Sequence, residues 1–436
     1  MATRSRAELA RRKPDGKRPG STSFMQTVVA TLVAAALFGL VGCEKPPKFS
    51  ELISGKKEAP PAPAQPVAKP AAAPVTPQAA PKVVEAPKKT AQEALAQFNG
   101  TPVFRRTNAQ LTELAELPEA RDQITVLELQ GSTVDDAGLA VLPKFDHVEK
   151  LNINTLNYSS AGLANVAKMK NVTALWMWRG AQKDKNSDAA IANLTQMKQL
   201  IELHVDQTKF SPAGIAEIAK MTQLETLSLA MVSQFTNEQL ETLAPLVNLK
   251  SLDLTASHVG DDGLKYLKPF TELEYLGMSK MLGVRGRGLK ELIMHEKGLQ
   301  KLRQLSLYDN PYMGIEAYEG ISHLKSLVVL DVGKANVTNE VFENAMPPLK
   351  NLEALSVHEN DALSDDAMAA IPRVRKLKQL YFQNNKLISD RSLPYFAKLK
   401  SLEALTLSQT SVTEAGARKL KSKLKNCKIN FNGQWL

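Results

Sequence analysis

Cysteine is almost absent: Cys43 and Cys427, the two in 436 residues, lie near opposite ends without the spacing of a disulfide framework. A small fold stapled by disulfides is therefore excluded. Six histidines, His147, His204, His258, His295, His323 and His358, are dispersed with no H-E-x-x-H or comparable metal spacing. No G-x-S-x-G turn occurs, and the glycines at Gly283, Gly286 and Gly288 lack the Lys-Ser/Thr ending of a phosphate loop. Neither metal nor organic cofactor is implied, and an enzyme would need a site assembled from distant segments. Long apolar runs are also scarce, the clearest being residues 27–42, about sixteen residues, short for a spanning helix.

Positive charge is concentrated in one place. The net charge of +10 divides into +8 over residues 1–100 and +2 over the remaining 336, so basicity belongs to the start of the chain. Arg4, Arg6, Arg11, Arg12, Lys13, Lys17 and Arg18 precede the apolar run, which has the form of a secretory leader. Leu40-Val41-Gly42-Cys43 ends that run and resembles the bacterial lipobox, in which a cysteine is acylated and becomes the new N-terminus. The resemblance implies a leader over 1–42, lipidation at Cys43, and a protein anchored to a membrane of the cell envelope, outside the cytoplasm. An uncleaved anchor is the alternative, and it too leaves the basic flank inside. Residues 43–90 follow as a tether: eleven of the chain's 24 prolines fall in 46–87, among Ala, Lys and Val, a composition that cannot bury a core.

Beyond residue 90 the chain repeats one phrase. It reads L-x-x-L-x-L at Leu402, Leu405 and Leu407, and upstream at Leu377, Leu380 and Phe382, at Leu352, Leu355 and Val357, and so on back to Ile124, Leu127 and Leu129. From Ile124 to Leu402 eleven steps cover 278 residues, about 25 each. The period-two alternation predicts a strand, and a second apolar pattern at helical spacing, such as Leu139, Leu142 and Phe145, predicts a helix behind it. Small polar residues eight positions after the first leucine (Ser132, Thr208, Ser257, Asn310, Asn360, Asn385, Thr410) suit a turn, and residues such as Asp135, Ser159, Ser211 and Thr413 suit helix N-caps.

The phrase V-T-E-A-G at 412–416, with V-D-D-A-G at 134–138 and V-G-D-D-G at 259–263, resembles leucine-rich repeats of the ribonuclease-inhibitor-like and F-box-associated type. That resemblance implies an α/β fold: a right-handed solenoid of about twelve repeats over 124–425, with a concave parallel sheet and convex helices. One or two capping helices are expected in 91–123. A closing strand is expected in 426–436, with Cys427 part-buried and Trp435 covering the last layer. Aliphatic residues stand where the family has its strand cysteines.

The outward positions of the strands form columns along the concave face, four and six residues past the first leucine. Neither column contains Lys or Arg, and together they hold Glu128, Asp206, Asp253 and Asp331, a poor surface for phosphate backbones. Trp176 and Trp178, two of three tryptophans, stand there beside His204 and Asp206 on the next strand. Aromatic rings grouped with hydrogen-bonding neighbours suit a protein partner; paired indoles also suit a glycan, and a cross-repeat enzyme is a third class. Tyr308 and Tyr381 are further candidate contacts, and Tyr275, Tyr308, Tyr381 and His358 form a second set that ordinary solvated strands also explain. Two repeats are long, at 181–186 and around 294–298, and the first insertion either contributes to binding or folds over the indoles. Lys419, Lys421, Lys423, Lys425 and Lys428 are assigned to the wet face of the last helix.

Overall fold

A computed structural model describes residues 89–179, 187–296 and 298–436. Cys43, the leader, nearly all of the tether and the 181–186 insertion lie outside the described residues.

Three helices begin the described part: α1 (Ala91–Gly100), α2 (Asn108–Ala115) and α3 (Pro118–Arg121), with a 3-10 turn at Val103–Arg105. Thr90 and Glu93 cap α1 reciprocally, as Thr107 and Gln110 cap α2, so two orphan amides are satisfied at each start. Phe98, Leu111 and Leu114 are buried and continue the apolar core, which would otherwise end in water at Leu127. Arg106 seals the same end, its guanidinium 4.0 Å from the Phe98 ring centre and donating to the Glu128 carbonyl.

Fourteen strands among the described residues form one sheet in sequence order: β1 (Val126–Glu128), β2 (Lys150–Asn152), β3 (Ala174–Trp176), β4 (Glu202–His204), β5 (Thr226–Ser228), β6 (Ser251–Asp253), β7 (Tyr275–Gly277), β8 (Gln304–Ser306), β9 (Val329–Asp331), β10 (Ala354–Ser356), β11 (Gln379–Tyr381), β12 (Ala404–Thr406), β13 (Lys428–Phe431) and β14 (Gln434–Trp435). Strands β1 to β13 are parallel and in leucine register, Leu127 against Leu151, Leu151 against Leu175, and onward to Leu405 against Ile429. These residues are fully buried, and each buried leucine contributes about 1.5–3 kcal/mol relative to exposure. The fold is a leucine-rich repeat solenoid of about twelve repeats, as the period predicts.

Each strand ends in the same device. Seven residues after the first apolar position the backbone turns left-handed, at Gly131, Thr155, Arg179, Gln207, Met231, Ala256, Lys280, Asp309, Lys334, Glu359, Asn384 and Gln409, with φ between 50° and 68°. Only the first is glycine. The conformation persists because these amides extend the sheet ladder into the next unit, as Lys280 N–H does to the Tyr308 carbonyl at 2.8 Å, with the last, Gln409 N–H, donating to Asn432 Oδ1 at 2.9 Å. The next residue turns inward. Asn310, Asn360 and Asn385 are buried there, and their amides bond the turn backbone of their own and the preceding repeat.

The convex side is built from short helices, some α, such as Ser160–Val166 and Pro212–Ala219, and some 3-10, such as Asp261–Leu267 and Asp365–Arg373. Successive helices are tied at their N-termini. Asp136 Oδ1 accepts from Ser159 N–H at 2.8 Å, Asp188 from Ser211 N–H at 3.0 Å, Asn237 from Gly260 N–H at 3.0 Å and Asp390 from Thr413 N–H at 2.8 Å. This explains the glycine in the V-x-x-x-G phrase: a Cβ built on Gly263 or Gly416, or on Gly162 at the same place in Y-S-S-A-G, would lie 2.0–2.3 Å from that bridging oxygen.

At the far end β14 folds back antiparallel on β13. The expectation for Trp435 is corrected: it is 51% exposed, whereas Leu436 packs against the core and donates its amide to the Ile429 carbonyl at 2.8 Å. A two-residue strand carries its alternate side chains to opposite faces, so only one of these neighbours can face the core. Cys427 is buried, and that burial pushes its thiol up to about 11, so it is a packing residue and not a nucleophile.

Candidate functional site

The register of β3 on β4 places Trp176 directly against His204. Their rings stack with centroids 5.4 Å apart and planes 19° from parallel. His204 Nε2 lies 2.9 Å from Glu202 Oε1, so the imidazole is held between an indole and a carboxylate. Two residues on, Trp178 is 36% exposed, its amide donates to Asn154 Oδ1 at 2.6 Å, and the Arg179 guanidinium lies 5.7 Å from its ring centre. Arg179 in turn donates to the Gln207 side-chain oxygen. Trp176, Trp178 and His204 therefore share one open surface, with Arg179 and Glu202 at its margin.

Asp206 has a different place. Its Oδ1 accepts from the Ala230 amide at 2.9 Å and from the Ser228 hydroxyl, which makes it a cap on the end of β5. Burial raises its carboxyl above the usual range, and the Ser228 hydrogen bond, His204 and the Ala230 amide oppose that rise only in part. Asn154 performs the same capping two strands earlier, for Trp178.

Tyr308 stacks on His358, centroids 5.2 Å apart and planes at 24°. The stack is possible because Gly333 leaves its position empty: a Cβ there would sit 2.2 Å from the imidazole, and His358 Nδ1 is 2.6 Å from Ser356 Oγ. Tyr381 stands apart from this stack. It is 7% exposed, its hydroxyl donates to Gln379 Oε1 at 3.0 Å, and burial pushes it up to about 12, so little of its ring reaches the surface.

A second glycine opens the centre of the face. At Gly277 a Cβ would be 2.8 Å from the Tyr275 hydroxyl and 2.5 Å from Asp253 Oδ1. Tyr275 thus crosses Gly277 toward Asp253, and burial together with that carboxylate raises its phenol well above the usual range. Asp331 is 7% exposed, accepts from the Gly333 amide at 3.1 Å and is raised chiefly by burial, His358 and its hydrogen bonds opposing. A glycine in the outward columns with an aromatic beside it, two residues back along the strand for Gly277 and one repeat to either side for Gly333, is the sequence signal for the two constellations.

Among the described residues no group of three or more His, Cys, Asp or Glu converges to hold a metal ion. No helix among them is long and apolar enough to cross a membrane.

Neither a protein-family model nor any curated protein matches the sequence. Solved structures do. The yeast Rad7–Elc1 complex is similar at 14% identity over 74% of this chain and 83% of that one, with a TM-score of 0.50. An internalin from Listeria monocytogenes matches at 18% identity over 78% and 93%, TM-score 0.49, and a leucine-rich repeat protein from Leptospira interrogans at 17% over 74% and 92%, TM-score 0.38. At these identities the likeness concerns the fold alone. The chain is a leucine-rich repeat solenoid.

Proposed function

We propose that this is a lipid-anchored protein of the bacterial cell envelope that works as a binding scaffold and not as an enzyme, holding a protein partner in its concave face. The observation that carries the partner site is the aromatic group at β3 and β4. Aromatic residues are 6% of the chain, yet two of three tryptophans occupy neighbouring positions on the open sheet face, with Trp178 36% exposed. Rings grouped in this way beside Arg and His have the composition of an interface hot spot. His204 already covers one side of Trp176, which leaves less ring for stacking a sugar and favours a protein over a glycan. Anchoring rests on the lipobox-like 40–43 and its apolar run; several acyl chains would hold the protein stably, whereas one would be marginal.

The test is a crosslinking pull-down from the native envelope with the full chain and its Trp176→Ala/Trp178→Ala double variant, identifying proteins and glycans. Loss of a protein in the variant, with circular dichroism unchanged, supports the reading; each indole should contribute about 2 kcal/mol or more to affinity. Identical capture by both forms rejects the concave site, and capture of glycan alone replaces the partner class. Cys43→Ala should leave the membrane fraction; retention there would mean an uncleaved anchor.

A further inference from the structure

The floor of the concave face carries charge of one sign. Over ten strands from β3 to β12, the three outward columns comprise thirty positions, Ala174 to Ala404, Trp176 to Thr406 and Trp178 to Ser408. They hold four carboxylates, Glu202, Asp206, Asp253 and Asp331, and no lysine or arginine. Cations stand at the rim, among them Lys280 and Lys334 past the strand ends and Arg303 just before Gln304, and Lys334 is already paired with Asp309 at 2.8 Å.

Within this floor one polar group lacks a partner. Gln304, the in-register neighbour of Tyr275, is 4% exposed, and its Oε1 accepts no hydrogen bond. Buried acceptors in native proteins are almost always satisfied, so a missing donor at this place calls for an explanation. The surroundings specify the donor's charge. Asp253 and the Tyr275 hydroxyl close over Gly277 on one side, 2.5 and 2.8 Å from where its Cβ would stand, and Asp331 lies on the other side, in register with Ser306 on the strand of Gln304. A cationic N–H donor would satisfy Gln304 and compensate carboxylates that are otherwise held in a poorly solvated floor. A divalent metal is not the fit, since no three ligating side chains converge among the described residues. Asp253 on β6 and Asp331 on β9 are three strands apart, about 14 Å at the usual strand spacing of about 4.8 Å. That separation suits successive basic side chains of one extended segment.

We propose that the centre of the concave face, from Asp253 through Gln304 to Asp331, receives lysine or arginine side chains of an extended basic segment of the partner protein. The inference rests on the concave-face reading above and adds the partner's chemistry. Tyr275, bridging a glycine with no Cβ beneath it, is the ring placed to turn aside as the segment enters.

The experiment is fluorescence anisotropy of labelled nona-lysine and nona-arginine peptides with the full chain, and nona-glutamate as the control. The cationic peptides should bind and weaken with salt. Asp253→Asn/Asp331→Asn, which keeps the oxygen acceptors of both side chains, should lower affinity at least about tenfold. The convex pair Glu291→Gln/Glu414→Gln should leave it unchanged. Gln304→Leu should lower affinity about threefold or more while raising the denaturation midpoint, because the isostere removes the orphan acceptor; a raised midpoint with affinity unchanged would make Gln304 purely structural and overturn its role. No binding of either cationic peptide, equal binding of the glutamate peptide, or an unchanged double variant overturns the proposal. Trp176→Ala/Trp178→Ala separates the two readings. Native-partner loss in the tryptophan variant, with no peptide effect from the aspartate pair, sinks the basic-segment inference alone; a native partner retained by both variants sinks the concave-face reading.

Discussion

Asn360→Ala should be among the most damaging single substitutions in the solenoid, and its cost can be worked from the bonds it breaks. Asn360 is 2% exposed. Its Oδ1 accepts from Ala335 N–H at 3.2 Å and Val337 N–H at 2.8 Å, and its Nδ2 donates to the Val332 and Val357 carbonyls at 3.0 and 2.9 Å. Alanine leaves two buried amides without an acceptor, each costing about 1–3 kcal/mol, so the expected loss is about 4 kcal/mol. Asn385→Ala supplies the internal standard. Its Oδ1 serves one amide, Asn360 N–H at 2.7 Å, so about half that loss is expected. Urea denaturation followed by far-ultraviolet circular dichroism gives the two values. Hydrogen exchange of the Ala335 and Val337 amides gives the local one, since repeats couple chiefly to their neighbours. A loss below about 1 kcal/mol for Asn360→Ala, or one no larger than for Asn385→Ala, would refute the bond-counting argument.

Gly162→Ala should cost about 1–3 kcal/mol, because its Cβ would stand 2.3 Å from Asp136 Oδ1 and push it off the Ser159 amide. Gly100→Ala, with nothing within 4 Å, is the neutral comparison, and equal denaturation midpoints for the two variants would exclude the clash. Asp331→Asn should raise the midpoint at pH 7. The folded carboxyl is raised by burial, so its ionisation opposes folding above that raised value and the penalty disappears as pH falls through it. The gain from Asn should therefore shrink on acidification into the carboxylate range; a gain independent of pH, or a loss at pH 7, would contradict the assignment.

The strand register was legible because three apolar residues per repeat leave no freedom: a one-residue slip would turn Leu127, Leu151 and every leucine after them toward water. The left-handed residue at each strand end was not. Eleven of those twelve positions carry a side chain, from Met231 to Lys334, so the usual glycine signal is missing. There the ladder of neighbouring repeats overrides local preference. The V-x-x-x-G phrase was visible as a resemblance, but its cause, the Asx side chain of the preceding repeat lying over the glycine, needs the stack of two helices. Asp206 illustrates the same limit within the site. A carboxylate beside Trp178 in the sequence pattern reads as a contact residue, and only the ending of β5 reveals that it caps Ala230. Trp176 against His204 was legible, since consecutive strands in one register bring equal positions together.

The concave face thus contains two kinds of side chain, and the difference bears on the proposed partner site. Asn152, Asn154, Asp206, Asp253 and Asp331 each accept a backbone amide at a strand end, so replacing one disturbs the sheet as well as the surface. The rings of Trp176, Trp178, Tyr308 and His358 terminate no strand; they meet one another, or an adjacent arginine, above the polar floor. Their removal leaves every ladder bond in place. Apolar rings kept at open positions without a structural debt to the sheet are what a binding surface requires, because their burial is completed only by a second molecule. Stability and affinity should consequently separate along this face: substitutions in the capping Asx residues should move denaturation midpoints and partner binding together, whereas substitutions in the rings should move binding alone.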